Sequence, residues 1–279
     1  MPSPLISTAQ LALEIDTPTC VVVDTRHELA NPQWGREAYS NGHLPGAIFF
    51  SIDHDLAAEK NGKNGRHPLP APDAFAHTLG QKGIDRTSKI VIYDQGSAMY
   101  AGRLWWMLRW MGHDEVYVLD GGYARWTQEA RSVDTVIPTR AQREYVGRAQ
   151  ESMRVNMIEL RKALTAPESR IIDARAPERF RGEVEPIDPV AGHIPGAINR
   201  PFTQNLRDGV FKPATELRAE FEAILASRSP QQVIHQCGSG VSALANMLAM
   251  EHAGLSGSRL YPGSWSEWCT HPENPIARA

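Results

Sequence analysis

Cysteine is scarce in this 279-residue chain: Cys20, Cys237 and Cys269 are far apart and odd in number. With no C-x-x-C pair, they offer neither a disulfide framework nor the paired spacing of a structural zinc site. Such usage fits a reducing compartment, the cytoplasm. Long apolar runs are missing as well. The nearest, Leu104 to Met111, is interrupted by Arg109 and is too short to span a bilayer. The opening M-P-S-P-L-I-S-T-A-Q has no basic stretch followed by an apolar one, which argues against a signal peptide. Nor is there an excess of one charge: 29 Lys and Arg against 32 Asp and Glu leave −3, removing the electrostatic case for a nucleic-acid or anionic-membrane partner. What remains, 42% hydrophobic and 22% charged residues, is the composition of a soluble globular protein with one large or two ordinary domains.

Short apolar segments punctuate the chain. Cys20-Val-Val-Val-Asp24, Lys89-Ile-Val-Ile-Tyr93, Val116-Tyr-Val-Leu119 and Val233-Ile234 read as strands. Residues 5–15, capped by Ser7 or Thr8, Ala74 to Lys82, Tyr100 to Met111 and Val241 to His252 read as helices. Thr25 to Ser40 reads as a polar loop, and Asp53 to Pro72, rich in Gly, Asn and Pro, as another.

The pattern occurs twice. Val21-Val-Val-Asp-Thr-Arg26 is echoed by Arg170-Ile-Ile-Asp-Ala-Arg175, and Gly42-His-Leu-Pro-Gly-Ala-Ile48 by Gly192-His-Ile-Pro-Gly-Ala-Ile198, 192 − 42 = 150 residues later. Val91-Ile-Tyr-Asp94 matches Val233-Ile-His-Gln236, and Asp120-Gly-Gly-Tyr-Ala-Arg-Trp126 matches Tyr261-Pro-Gly-Ser-Trp-Ser-Glu-Trp268. Four matches in one order indicate a duplicated domain. The expected division is 1–130, a linker over 131–150, and 151–279. Strands alternating with helices imply an α/β fold, a parallel sheet flanked by helices in each half, with ligands at the carboxyl ends of the strands.

One such end carries the stretch His235-Gln-Cys237-Gly-Ser-Gly-Val-Ser-Ala243. A strand, a cysteine, a glycine-rich turn and a helix can build a reactive thiolate. Successive backbone N–H groups form an anion nest and the helix N-terminus adds partial positive charge, both favouring S⁻ over SH. Gly238 and Gly240 leave the backbone open to a ligand. A buried structural cysteine at a strand end is the other reading of the same segment.

Together, the duplicated D-x-R and G-H-x-P-G-A motifs, the C-G-S-G-V-S-A loop and the closing Y-P-G-S-W-S-E-W resemble the two-domain rhodanese-type sulfurtransferases, over essentially residues 5–275. Within them the loop is similar to the 3-mercaptopyruvate branch; the thiosulfate branch typically has basic residues after the cysteine. The resemblance implies two tandem rhodanese-like domains, with a non-catalytic first half, where Asp94 or Gln95 stands in place of the thiol, and a catalytic second half. It implies sulfur transfer from 3-mercaptopyruvate to a thiophilic acceptor through a Cys237 persulfide held by the N–H groups of Gly238, Gly240, Val241, Ser242 and their neighbours, with no metal and no organic cofactor. The acceptors it suggests are thioredoxin, a small thiol or cyanide, and two domains closing one cleft suit a monomer.

The resemblance also assigns Ser239, His67 and Asp53 to a relay that protonates the departing enolate or holds substrate. By spacing alone His67 is a surface-loop histidine and Asp53 a helix cap. Arg179 matches an arginine that pairs the substrate carboxylate, and Tyr100 a tyrosine facing the same cleft, although it also fits a core aromatic. The family's second arginine after an E-P pair is absent, since Glu185-Pro186 leads into Ile187-Asp188; Arg181 or Arg103 would have to compensate. His43 and His193 are expected to be structural, as are Asp24, Asp173 and most tryptophans, and Cys20 and Cys269 inert. A cysteine phosphatase needs an arginine six residues after its cysteine, where Ala243 stands, and is excluded. Two alternatives remain: a thiosulfate sulfurtransferase, and a non-catalytic sulfur-carrier or partner-binding module.

Overall fold

Val21–Val23 and Ile90–Ile92 have no polar face, so both sides of each strand must be covered. In the computed structural model, which describes residues 3–279, they form the centre of a parallel sheet. The first half runs β1 (Leu5–Ile6), α1 (Thr8–Glu14), β2 (Cys20–Asp24), α2 (Trp34–Asn41), β3 (Ile48–Phe49), α3 (Pro72–Gln81), β4 (Lys89–Tyr93), α4 (Met99–Trp110), β5 (Val116–Leu119) and α5 (Gly122–Gln128). The second runs α6 (Met157–Ala163), β6 (Arg170–Asp173), α7 (Pro177–Arg181), β7 (Ile198–Asn199), β8 (Leu206–Arg207), β9 (Val210–Phe211), α8 (Ala214–Leu225), β10 (Val233–Gln236), α9 (Ala243–His252), β11 (Arg259–Leu260) and α10 (Ser264–Trp268). The sheets have the orders β1-β5-β4-β2-β3 and β11-β10-β6-β7, parallel throughout, and β8–β9 is a small antiparallel hairpin.

Strand alternation sends successive side chains to opposite layers. Val21, Val23, Ile90 and Ile92 face Phe75, Leu79 and Leu104. Val22 and Val91 face Leu11 and Trp126 on the other side. In the second half Ile171 and Ile234 pack with Leu160, Trp265 and Trp268. The Leu104 layer does not stop at the domain boundary. It continues through Trp105, Met107 and Leu108 to Leu244, Met247 and Leu248, so α4 and α9 bury one apolar seam between the two halves.

The structure differs from the sequence reading in three segments. Residues 5–15 are not one helix: Ser7 caps α1 in a capping box with Gln10, and Leu5–Ile6 pair with Val118–Leu119. Thr25 to Ser40 is not all loop; it contains most of α2, whose buried positions are only Gly35 and Tyr39, too few to stand out as an apolar stripe. Helix α9 starts at Ala243, with Val241 still in the turn before it. Residues 131–150 contain no helix and no strand, yet they are laid along the first half. Asp134 bridges to His43, Arg143 N–H donates to the Gly80 carbonyl, and Tyr145 is buried.

The duplication extends to hydrogen bonds. Arg26 pairs Asp24 and donates to the Gly42 carbonyl; Arg175 pairs Asp173 and donates to the Gly192 carbonyl. His43 and His193 bond the carbonyls of Tyr39 and Phe180 through Nδ1 (2.8 and 2.7 Å), so both are structural. Among the described residues no helix is long and apolar enough to cross a membrane.

Candidate active site

Cys237 follows β10 at the carboxyl end of the second sheet and is 1% exposed. The start of α10 fixes its loop. Cys237 N–H donates to Ser264 Oγ (3.1 Å), the Cys237 carbonyl accepts from Trp265 N–H (3.0 Å), and the Gly238 carbonyl accepts from Ser266 N–H (2.9 Å). Gly240 takes φ +72°, and a Cβ there would collide with the Pro262 carbonyl, so the turn requires glycine. The Val241 side chain is packed into the core, leaving its backbone for the loop. Among the described residues, the N–H groups from Gly238 to Ser242 donate to no protein acceptor. They are the free donors of the turn leading into α9.

The same place in the first half is filled. Asp94 follows β4, and its carboxylate accepts the N–H groups of Gly96 (2.8 Å), Ala98 (3.0 Å), Tyr100 (3.0 Å) and Ala101 (3.3 Å) at the start of α4. One nest thus closes on its own carboxylate, whereas the other opens beside a thiol.

Ser239, two residues beyond Cys237, is joined to the first half. Its hydroxyl lies 2.8 Å from His67 Nδ1, and His67 Nε2 lies 3.4 Å from Asp53 Oδ1. The His67 ring holds the Asp53 carboxyl down at about 2, against the effect of burial. Burial lowers the His67 pKa below its ordinary value, outweighing the opposite pull of Asp53. The pair is therefore a carboxylate and a neutral imidazole. With Nε2–H turned to the carboxylate, Nδ1 is unprotonated and the Ser239 hydroxyl donates to it. His27, which the sequence reading missed, lies 3.9 Å from the other oxygen of Asp53, and its ring meets Tyr100 edge-on with centroids 5.0 Å apart. Tyr100 is thus buried at the same cluster. Only the fold brings His27 there, 26 residues before Asp53 in the chain.

Arg179, on α7, donates to Glu185 through Nε (3.2 Å) and Nη2 (2.7 Å), and through Nη2 to Asp188 (3.2 Å). Burial raises the Glu185 pKa, but the Arg179 bonds and two backbone N–H groups overcome it and hold the carboxyl below its usual range. A Cβ built on Gly238 would lie 3.5 Å from Arg179 Nη1 and 2.7 Å from Nη2 of Arg66. Arg66 was not anticipated; its only sequence signal is its place beside His67 in G-R-H-P. The two expected substitutes for a second arginine are elsewhere. Arg181 pairs with exposed Glu183. Arg103 is fully buried and spent on the carbonyls of Leu56, His67 and Gly240, joining the halves beneath the loop.

Burial raises the thiol pKa of Cys20 and pushes that of Cys269 up to about 11, which keeps both thiols protonated and unreactive. No group of three or more His, Cys, Asp or Glu among the described residues is placed to hold a metal ion.

A tandem of parallel α/β domains, with a cysteine loop in only one, defines the class, and comparison with known proteins agrees. The family model described as a rhodanese-like domain matches residues 7–129 and again 156–271. The chain therefore belongs to the rhodanese-like family. It is 42% identical over 276 residues to a probable 3-mercaptopyruvate sulfurtransferase of Pseudomonas aeruginosa, covering 98% of this chain and 97% of that one. It is 38% identical over 283 residues to a Mycobacterium tuberculosis protein provisionally named a thiosulfate sulfurtransferase, covering 98% and 96%. The solved 3-mercaptopyruvate sulfurtransferase from Leishmania major superposes with a TM-score of 0.86 at 27% identity, over 98% of this chain and 76% of that one.

Proposed function

We propose that the protein transfers sulfane sulfur from 3-mercaptopyruvate to a thiol acceptor through a persulfide on Cys237. The observation that carries this reading is the open row of N–H donors from Gly238 to Ser242 beside the only cysteine that follows the carboxyl end of a strand, against the Asp94-filled row in the first half. The Cys237 thiolate attacks the donor sulfur, the C–S bond breaks, and its electron pair leaves with pyruvate as the enolate. The proton of the donor thiol ends on the methyl carbon of pyruvate, carried by Ser239 and His67 while Asp53 fixes the imidazole tautomer. An acceptor thiolate then attacks the outer sulfur of the persulfide and releases Cys237 as a thiolate. The turn donors hold the persulfide anion, and Arg179 the substrate carboxylate. Residues 151–279 supply the sulfur chemistry and 1–130 the cleft residues Asp53, His67 and Tyr100; 131–150 connect them. No cofactor takes part, and the seam between the halves suits a monomer working in the cytoplasm.

A thiosulfate donor is the second reading, favoured by the mycobacterial relative's name. Against it, Arg66 and Arg179 are matched by Asp188 and Glu185. The cluster carries no net positive charge, which suits a monoanion better than a dianion. Intact-mass measurement after donor treatment tests the proposal. One sulfur should be added by 3-mercaptopyruvate and none in Cys237→Ser. Sulfur on Cys20 or Cys269, or faster turnover of thiosulfate at equal subsaturating concentration, refutes it.

A further inference from the structure

We propose that Arg66, reaching across from the first half, is a second substrate-binding residue: with Arg179 it forms a two-sided clamp for the donor carboxylate directly over Gly238. This rests on the 2-oxo acid reading of the donor. Arg66 uses only Nη1, in an ion pair with Asp188. Its Nε is buried and, among the described residues, neither Nε nor Nη2 has an acceptor. Of the two, Nη2 is free to donate to a carboxylate oxygen, whereas Nε has no exposed surface. Nη2 is the atom nearest to the open face of Gly238, and Arg179 Nη1, also without an acceptor among the described residues, lies next to it.

Asp188 sets the pair. Its Oδ1 holds Arg66 and its Oδ2 holds Arg179, so one buried carboxylate spaces two guanidinium groups. Consecutive Cα atoms lie about 3.8 Å apart, and a three-carbon 2-oxo acid with sulfur on its third carbon spans about that length. A carboxylate gripped over Gly238 therefore leaves the sulfur within reach of Cys237. The Arg66 backbone is anchored independently of its guanidinium: its own N–H donates to Ser266 Oγ (3.0 Å), and Gly65 lies against the Gly263 carbonyl. The side chain is thus available to a ligand rather than needed to dock the segment.

The test is the rate of Cys237 alkylation by iodoacetate, which carries a carboxylate, relative to neutral iodoacetamide, read by peptide mass spectrometry. Because both reagents act on one protein sample, a small loss of stability cancels in the ratio. Arg66→Gln should lower the iodoacetate-to-iodoacetamide ratio about tenfold, the low end for one charge-assisted bond. It should also raise KM for 3-mercaptopyruvate by a similar factor with kcat nearly unchanged, and Arg66→Lys should recover part of both. An unchanged ratio and KM in Arg66→Gln overturn the clamp while leaving the donor reading standing. Wild-type protein that takes no sulfur from 3-mercaptopyruvate, yet loses its iodoacetate preference in Arg66→Gln, overturns the donor reading and supports the clamp.

Discussion

Asp94→Ala should unfold the protein more easily without touching the cysteine loop. Asp94 is 2% exposed, and its carboxylate accepts four backbone N–H groups and the Ser97 hydroxyl (3.2 Å). A bond to a charged group contributes about 1.5–3 kcal/mol, but such bonds to one carboxylate are not additive. Loss of a helix cap alone costs about 0.5–2 kcal/mol. Water can reach part of the vacated site, because Gly96 and Ser97 are only half-buried. We therefore expect about 3 kcal/mol of destabilisation, and a fall in Tm of about 6–12 °C for a chain of this size. Asp94→Asn keeps an acceptor oxygen and should lose roughly half as much. Urea titration followed by tryptophan fluorescence reads the change, Trp105, Trp106 and Trp110 being buried on the helix that this carboxylate caps. The emptied nest should also bind an anion, so sulfate should restore stability to Asp94→Ala more than to the wild type. Wild-type stability in Asp94→Ala, or no such sulfate rescue, would refute the view that the carboxylate is the nest's resident anion.

Asp53→Asn removes the charge that favours the His67 imidazolium. With that charge gone, burial acts on the His67 ring unopposed and its pKa falls further, so the acid limb of the pH–rate profile should move to lower pH as turnover falls. A limb that stays in place would assign it to another group. Arg179→Ala should raise KM for 3-mercaptopyruvate about tenfold or more, by the worth of one charge-assisted bond; steady-state kinetics showing loss in kcat alone would place Arg179 elsewhere in the mechanism. Gly238→Ala puts a methyl group where Arg66 Nη2 now sits, at 2.7 Å, and the long side chain can swing away at little cost in stability. Its kcat/KM should therefore fall with Tm nearly unchanged, a result that normal kinetics in Gly238→Ala would contradict.

Local pattern determined much of this protein. The all-apolar runs at Val21–Val23 and Ile90–Ile92 leave only a sheet covered on both faces, and the 150-residue repeat of G-H-x-P-G-A made the tandem legible. The strand, cysteine, glycines and helix around Cys237 are contiguous, so the turn could be read from one segment. Helix α2 escaped notice because only Gly35 and Tyr39 on it are buried, and Leu5–Ile6 became a strand only because Val118–Leu119 lie alongside. The tertiary structure alone decided how the site is shared. Asp53 and His67 meet Ser239 across a separation of 172 residues between histidine and serine, and Arg66 meets Asp188 across 122. A charge pair of that separation leaves no periodicity in the chain, because its geometry is set by the seam between α4 and α9 and not by either residue's neighbours. For the same reason Arg103, equally cationic in sequence, is buried beneath the loop on backbone carbonyls while Arg66 stands over it.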